Sequence, residues 1–238
     1  MSTTTAMILA AGRGERLRPL TDTVPKPLIQ VGNYRLIEYH LFALVEGGFR
    51  QVVINVSHLG QQIVDFLGDG TRYGLEISYS WEQQGALETA GGIHHALDLL
   101  NSEQFLVVNA DIFCNLDFSI LRLPASMAMH LVLINNPGHN PDGDFTLQQS
   151  ANGIVAAKPA DGVKSYTFSG IGLYRATVFR DLISGKQPLL PLFHHYIDQT
   201  EVSAEVFNGL WIDVGTRERL EQARLAAMNY STTTRLSH

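Results

Sequence analysis

Ala6-Met7-Ile8-Leu9-Ala10-Ala11-Gly12-Arg13-Gly14-Glu15-Arg16-Leu17 is the stretch whose reading decides the fold. Met7-Ile8-Leu9 reads as a buried strand that runs straight into small residues and glycine. Small residues let backbone approach a ligand, and successive backbone N–H groups form a cradle for phosphate oxygens. Two common phosphate loops do not fit. A dinucleotide-binding loop needs a third glycine where Leu17 stands, and a Walker loop needs Gly-Lys-Ser/Thr at its end. A tight turn that binds nothing is the plain alternative. Arg13, Arg16 and Arg18 weigh against it, because guanidinium groups suit phosphate.

Outward from this loop, short apolar runs alternate with helical patterns. Ile37, Leu41, Leu44 and Val45 mark one face of a helix that Gly47-Gly48 stops. Val52-Val53-Ile54 and Phe105-Leu106-Val107-Val108 are nearly unbroken apolar strands, as in a sheet covered on both faces. Residues 59–67 and 88–100 read as helices, and 75–79 as a strand. This βαβαβ rhythm predicts an α/β fold, a Rossmann-like, doubly wound, mostly parallel sheet. Beyond Asp111, 131–134, 165–174 and 202–207 read as strands, and 189–197 and 216–228 as helices. The Gly-, Asn-, Asp- and Pro-rich stretch after residue 134, notably 136–143, reads as loop and as a smaller acceptor-binding lobe. Residues 1–230 are expected to form one catalytic domain and 231–238 a disordered tail.

Composition narrows the classes. The chain has 238 residues, 45% of them hydrophobic, which suffices for a sizeable core. The net charge is −6 and no long basic run occurs, which disfavours nucleic-acid binding. A single cysteine, Cys114, fits a reducing compartment, and no apolar run is long enough for a membrane span. The expectation is a cytoplasmic protein with no membrane or nucleic-acid partner; the residues leave the oligomeric state open. Adjacent histidine pairs, 94–95 and 194–195, make no zinc site, and no HExxH or GxSxG occurs.

Two further features carry chemistry. Pro25-Lys26-Pro27 holds an ammonium on a stiff, extended segment, or is an ordinary exposed lysine in a turn. Asp111 follows a strand at the ligand-binding edge of such a sheet, and Asp213 precedes a helix. Alone, they also read as an Asx turn and a helix N-cap.

Together, Leu9-Ala-Ala-Gly-x-Gly-x-Arg16-Leu-x-Pro19-Leu-Thr21 and Pro25-Lys26-Pro27-Leu28 resemble the signature of sugar-phosphate nucleotidyltransferases. The resemblance continues through Leu36-Ile37-Glu38-Tyr39, Leu87-Glu88-Thr89-Ala90-Gly91-Gly92, Asn109-Ala110-Asp111 and Trp211-Ile212-Asp213-Val214-Gly215-Thr216. Within the family, Gly143-Asp144-Phe145 and Thr167-Phe168-Ser169-Gly170 are most similar to the branch that uses UTP and N-acetylmuramate-1-phosphate in peptidoglycan recycling.

The resemblance implies a nucleoside triphosphate and a sugar-1-phosphate as substrates, and Mg²⁺ held by Asp111 and Asp213. Arg16 and Lys26 would be catalytic. Leu9, Ala10, Ala11, Gly12, Arg13, Gly14, Glu82, Gly85, Ala86, Thr89 and Gly91 would bind nucleotide. Asn109, Asp144, Lys158, Ser169 and Gly170 would face the sugar phosphate. Ala157 stands where relatives often carry a glutamate, and Arg35 where they often carry proline. Base and sugar stay open at this point: GTP or dTTP with mannose- or glucose-1-phosphate is the alternative, and a non-catalytic nucleotide-sugar sensor ranks below it.

Overall fold

The computed structural model describes residues 4–82, 87–151 and 153–228. In chain order the elements are β1 (Thr5–Leu9), β2 (Gln30–Val31), β3 (Tyr34–Arg35), α1 (Leu36–Glu46), β4 (Gln51–Val56), α2 (Gly60–Leu67), β5 (Glu76–Trp81), α3 (Glu88–His95) and α4 (Leu97–Leu100). Then come β6 (Gln104–Asn109), β7 (Ile112–Cys114), β8 (Met129–Ile134), β9 (Phe145–Ser150), β10 (Gly153–Ala157) and β11 (Ser165–Arg175). The chain closes with α5 (Thr177–Arg180), α6 (Leu190–Asp198), β12 (Val202–Val206), β13 (Trp211–Asp213) and α7 (Arg217–Met228).

Among the described residues, the main sheet runs β5-β4-β1-β6-β11-β8-β12-β10-β9. β5, β4, β1 and β6 are mutually parallel. β11 enters antiparallel between β6 and β8, and β12 runs parallel to β8. The apolar runs are continuous because both faces are covered. Ala6 and Ile8 of β1 join one core cluster and Met7 the other. Val52 and Ile54 of β4 divide from Val53 in the same way, as do Leu106 and Val108 of β6 from Phe105 and Val107. Successive side chains of a strand point to opposite faces, so a doubly covered strand is apolar throughout.

β4 and β6 flank β1 on opposite sides, so the chain reverses its winding at β1. A crevice opens outside the carboxyl ends of such strands at the point of reversal. A third cluster braces that edge. Leu17, Ile29, Val31, Leu36 and Tyr39 pack with Phe113, Val214, Leu220, Ala223 and Ala227. Leu17, where a dinucleotide loop would have glycine, thus anchors the glycine loop to α7 and its lead-in.

Three elements differ from the sequence reading. The stretch between β8 and β11 is not all loop: β9 and β10 form an antiparallel hairpin after residues 136–143. Its outward residues Gln148 and Gln149 dilute the apolar alternation that identifies a strand. The helix expected over 88–100 is two, because the Ala96 N–H is shared between the carbonyls of Gly92 and Ile93. Lys26 is not extended: Lys26–Leu28 is a single 3₁₀ turn, closed by Leu28 N–H to Pro25 O at 2.8 Å and Ile29 N–H to Lys26 O at 3.1 Å. Pro27 fits inside it because an early turn position needs no N–H donor. The Arg35 guanidinium caps the turn, donating to Leu28 O at 3.1 Å. No helix among the described residues is long and apolar enough to cross a membrane. Gly85, Ala86 and the tail lie outside the described residues.

Candidate active site

A cleft of about 460 Å³ lies at the carboxyl edge. Leu9, Ala10, Ala11, Gly12 and Gly14 line it from the end of β1 onward, Asn55 from β4, Glu82 from just after β5, and Asn109, Ala110 and Asp111 from the end of β6 and the turn that follows. Arg16, Lys26, Thr89 and Gly215 complete much of the wall. Strands distant in sequence therefore deliver their ends to one place.

The glycine loop sits on the Pro-Lys-Pro turn. Gly14 has a left-handed φ of 68°, and a Cβ there would lie 3.1 Å from Thr21 Cγ2 and 3.3 Å from Lys26 Cβ. The Thr21 hydroxyl donates to Gly14 O at 2.9 Å. Glycine supplies both the conformation and the close approach. Ala10 lines the cleft, but its N–H is committed to Asn55 Oδ1 at 2.7 Å. Arg16 is exposed at the rim, and Arg13 is exposed outside the lining.

Lys26 is buried, and its Nζ donates to Asp111 Oδ2 at 2.6 Å. Asp213 arrives by a route no local pattern shows. β7 and β13 pair antiparallel with Asp213 opposite Ile112, and Val214 N–H donates to Asp111 O at 2.8 Å. The two acids therefore lie on adjoining backbone, and of the two only Asp111 lines the cleft. Asp213 lies behind Gly215, its Oδ2 3.3 Å from Arg219 Nη1 and 3.7 Å from His139 Nε2. Its Oδ1 is buried without a hydrogen-bond partner. A buried carboxylate oxygen left unpaired is costly unless a cation or donor meets it. A Cβ at Gly215 would lie 3.0 Å from that oxygen and 2.9 Å from Arg16 Nη2. Among the described residues no cluster of three or more ligating side chains exists. Two carboxylates, completed by substrate phosphates, are nonetheless a set that suits Mg²⁺.

On the opposite wall, Glu82 is buried, with one oxygen accepting from Asn55 Nδ2 at 2.7 Å and the other from Leu87 N–H at 2.7 Å. Thr89 lines the cleft, whereas Gly91 faces away: its N–H donates to Gln187 O at 3.1 Å, and a Cβ would collide with the Gly185 carbonyl. Glu88 holds a left-handed φ of 61°, unusual for a residue with a side chain, and it lines the cleft. Such conformations persist where surrounding structure enforces them, often at binding sites.

The residues assigned to the sugar side divide. Asn109 lines the cleft and is backed by Gly170, where a Cβ would lie 2.6 Å from Asn109 Nδ2. Ser169 is buried in a bulge of β11, its hydroxyl donating to Val132 O at 2.7 Å. Asp144 is engaged locally, accepting from Asn140 Nδ2 at 3.0 Å and from Phe168 N–H at 2.8 Å. Lys158 lies outside the lining, paired with Asp198 at 2.5 Å.

The sequence reading did not single out Asn55, Gly215, Arg219 or His139. Asn55 had a signal: it is the lone polar residue in Val52-Val53-Ile54-Asn55-Val56. His40 lies buried beneath this edge. Burial pushes its pKa down to about 4, against the opposing pull of the Asp111 charge and of backbone hydrogen bonds at Ile112 and Asn109.

Known proteins resemble this chain over nearly its whole length. The N-acetylmuramate alpha-1-phosphate uridylyltransferase of Neisseria meningitidis serogroup B is 47% identical over 228 residues, covering 93% of this chain and 97% of the relative. The protein of the same name from Caulobacter vibrioides is 33% identical over 234 residues, covering 93% and 94%. The solved inositol-1-phosphate CTP transferase of T. maritima superposes with a TM-score of 0.75 at 20% identity, covering 97% of this chain and 98% of that one, and so shares the fold. The family model for nucleotidyl transferases matches residues 5–229, and the chain belongs to that family.

Proposed function

We propose that this protein joins UTP to N-acetylmuramate-1-phosphate, giving the uridine diphosphate sugar and pyrophosphate. The Lys26–Asp111 pair in the cleft beside the glycine loop, with the backbone before Val214 held against Asp111, supports the reaction class. The near full-length likeness to the Neisseria protein supports the choice of base and sugar. A cytoplasmic place in cell-wall recycling belongs to the same reading.

An oxygen of the sugar phosphate attacks the α-phosphorus in line; the bond to the β-phosphate oxygen breaks and pyrophosphate leaves with the electron pair. Such a reaction needs positioning and charge neutralisation rather than a covalent nucleophile. The amides of 11–14 and Arg16 hold the departing phosphates. Lys26 neutralises the α-phosphate, and its resting partner Asp111 keeps it in place until substrate arrives. Asp111 and Asp213 would hold Mg²⁺, which supplies charge neutralisation between the two phosphates. Glu82 and Thr89 face the base, and Asn109, backed by Gly170, faces the sugar phosphate.

The test is pyrophosphate release from UTP, GTP, dTTP and CTP, each with N-acetylmuramate-, glucose- and mannose-1-phosphate, with and without EDTA. The expected result is selective turnover of UTP with N-acetylmuramate-1-phosphate, abolished by EDTA. Equal or faster turnover of another pair overturns the substrate assignment.

A further inference from the structure

We propose that Asn55 is a positioning residue, which with Glu82 forms a buried bridge fixing the distance between the phosphate cradle and the base wall. The inference rests on the nucleotide-binding reading of the cleft. The bridge has three hydrogen bonds in series. Ala10 N–H donates to Asn55 Oδ1 at 2.7 Å, Asn55 Nδ2 donates to Glu82 Oε1 at 2.7 Å, and Leu87 N–H donates to Glu82 Oε2 at 2.7 Å. Backbone N–H groups can only donate, so the Asn55 amide has one workable orientation. Asn55 and Glu82 are each about 4% exposed, which makes every bond in the series costly to lose.

The two ends of the bridge are what matter. Ala10 opens the glycine loop, and Leu87 leads into Glu88 and Thr89 on the facing wall. A nucleotide bound by its phosphates and its base spans both walls, so their separation decides how it sits. The neighbourhood is shaped for the bridge. A Cβ on Gly92 would lie 2.6 Å from Glu82 Oε1 and 3.1 Å from Asn55 Nδ2, so glycine leaves the space the bridge occupies.

The bridge can be cut and rebuilt by exchanging its amide and its carboxylate. Asn55→Asp keeps an acceptor for Ala10 but sets two carboxylates against each other. Glu82→Gln leaves too few acceptors for the donors. In the double variant, the carboxylate introduced at position 55 accepts from Ala10 N–H and from the amide introduced at position 82. The oxygen of that amide accepts from Leu87 N–H, which restores all three bonds. Two readouts are taken on the full chain: kcat and KM for UTP and for sugar phosphate, and direct UTP binding by calorimetry. Each single variant is expected to weaken UTP binding and raise the UTP KM about 10- to 100-fold, the size of a lost charge-assisted bond. The sugar-phosphate KM stays within about threefold, and the double variant recovers most of the loss. If Asn55→Asp fails to fold, Asn55→Ala is measured in the same way. Unchanged UTP binding in the single variants, or a folded double variant no better than the worse single, overturns the bridge. A wild type that binds UTP but turns over no sugar phosphate overturns the proposed reaction alone, and the bridge is then decided by binding.

Discussion

Lys26→Met separates the two things Lys26 does. Methionine keeps the stem that packs under Gly14 and removes the ammonium. Breaking a fully buried ion pair costs about 3–5 kcal/mol, whereas an exposed pair contributes about 0–1 kcal/mol. The Lys26 side chain is 10% exposed and Asp111 34%, so solvent screens the stranded carboxylate and the expected loss lies between, at about 1–2 kcal/mol. For a chain of this size that lowers Tm by about 2–8 °C and leaves it folded at assay temperature. Catalysis loses more. Removing one preorganised charge from a phosphate that is transferred typically costs about 10²–10³ in rate. Thermal unfolding and pyrophosphate release on the same preparation give both numbers. A variant that loses the expected stability yet turns over within about threefold of wild type refutes the assignment, and leaves Lys26 as a partner of Asp111 only.

Three further outcomes follow from the packing. Gly92→Ala pushes a methyl group into the Asn55–Glu82 contact, and kinetics should show UTP KM rising about tenfold while the fold survives thermal unfolding. Leu17→Ala empties a fully buried anchor between the glycine loop and α7, and urea denaturation should show a loss of about 2–5 kcal/mol. In the metal-free protein His40 stays neutral down to about pH 4, while the unfolded chain takes up its proton near the ordinary value of 6.5. Its contribution is therefore fully present above pH 6.5 and falls as pH drops towards 4, by about 3 kcal/mol in all. Denaturation at stepped pH should show this slope shrinking in His40→Gln.

Much of the parallel half was legible because its physics is local. Strands covered on both faces are apolar through their centres, as 6–8 of β1, 52–54 of β4 and 105–108 of β6 are. The glycine loop and the Pro-Lys-Pro turn announce themselves by residue type. The pairing of β7 with β13 does not: each strand has three residues, too few for a period, and they lie about a hundred positions apart. Only the family resemblance joined Asp111 to Asp213 beforehand. Single-residue roles were harder still. Asp144, Lys158 and Ser169 each have a partner contributed by a distant segment, and no spacing along the chain reveals the Phe168 N–H, Asp198 or the Val132 carbonyl as those partners. The Asn55–Glu82 bridge spans two neighbouring strands, and its one trace in the sequence is a polar residue in an apolar run.

The central claim is that two distant acids hold one divalent cation between them. Mn²⁺, a spectroscopic substitute for Mg²⁺, can be counted by electron paramagnetic resonance in the presence of UTP. The account predicts one bound ion per chain in the wild type and its loss from both Asp111→Asn and Asp213→Asn, with UTP still bound. Undiminished Mn²⁺ binding in either folded variant contradicts it.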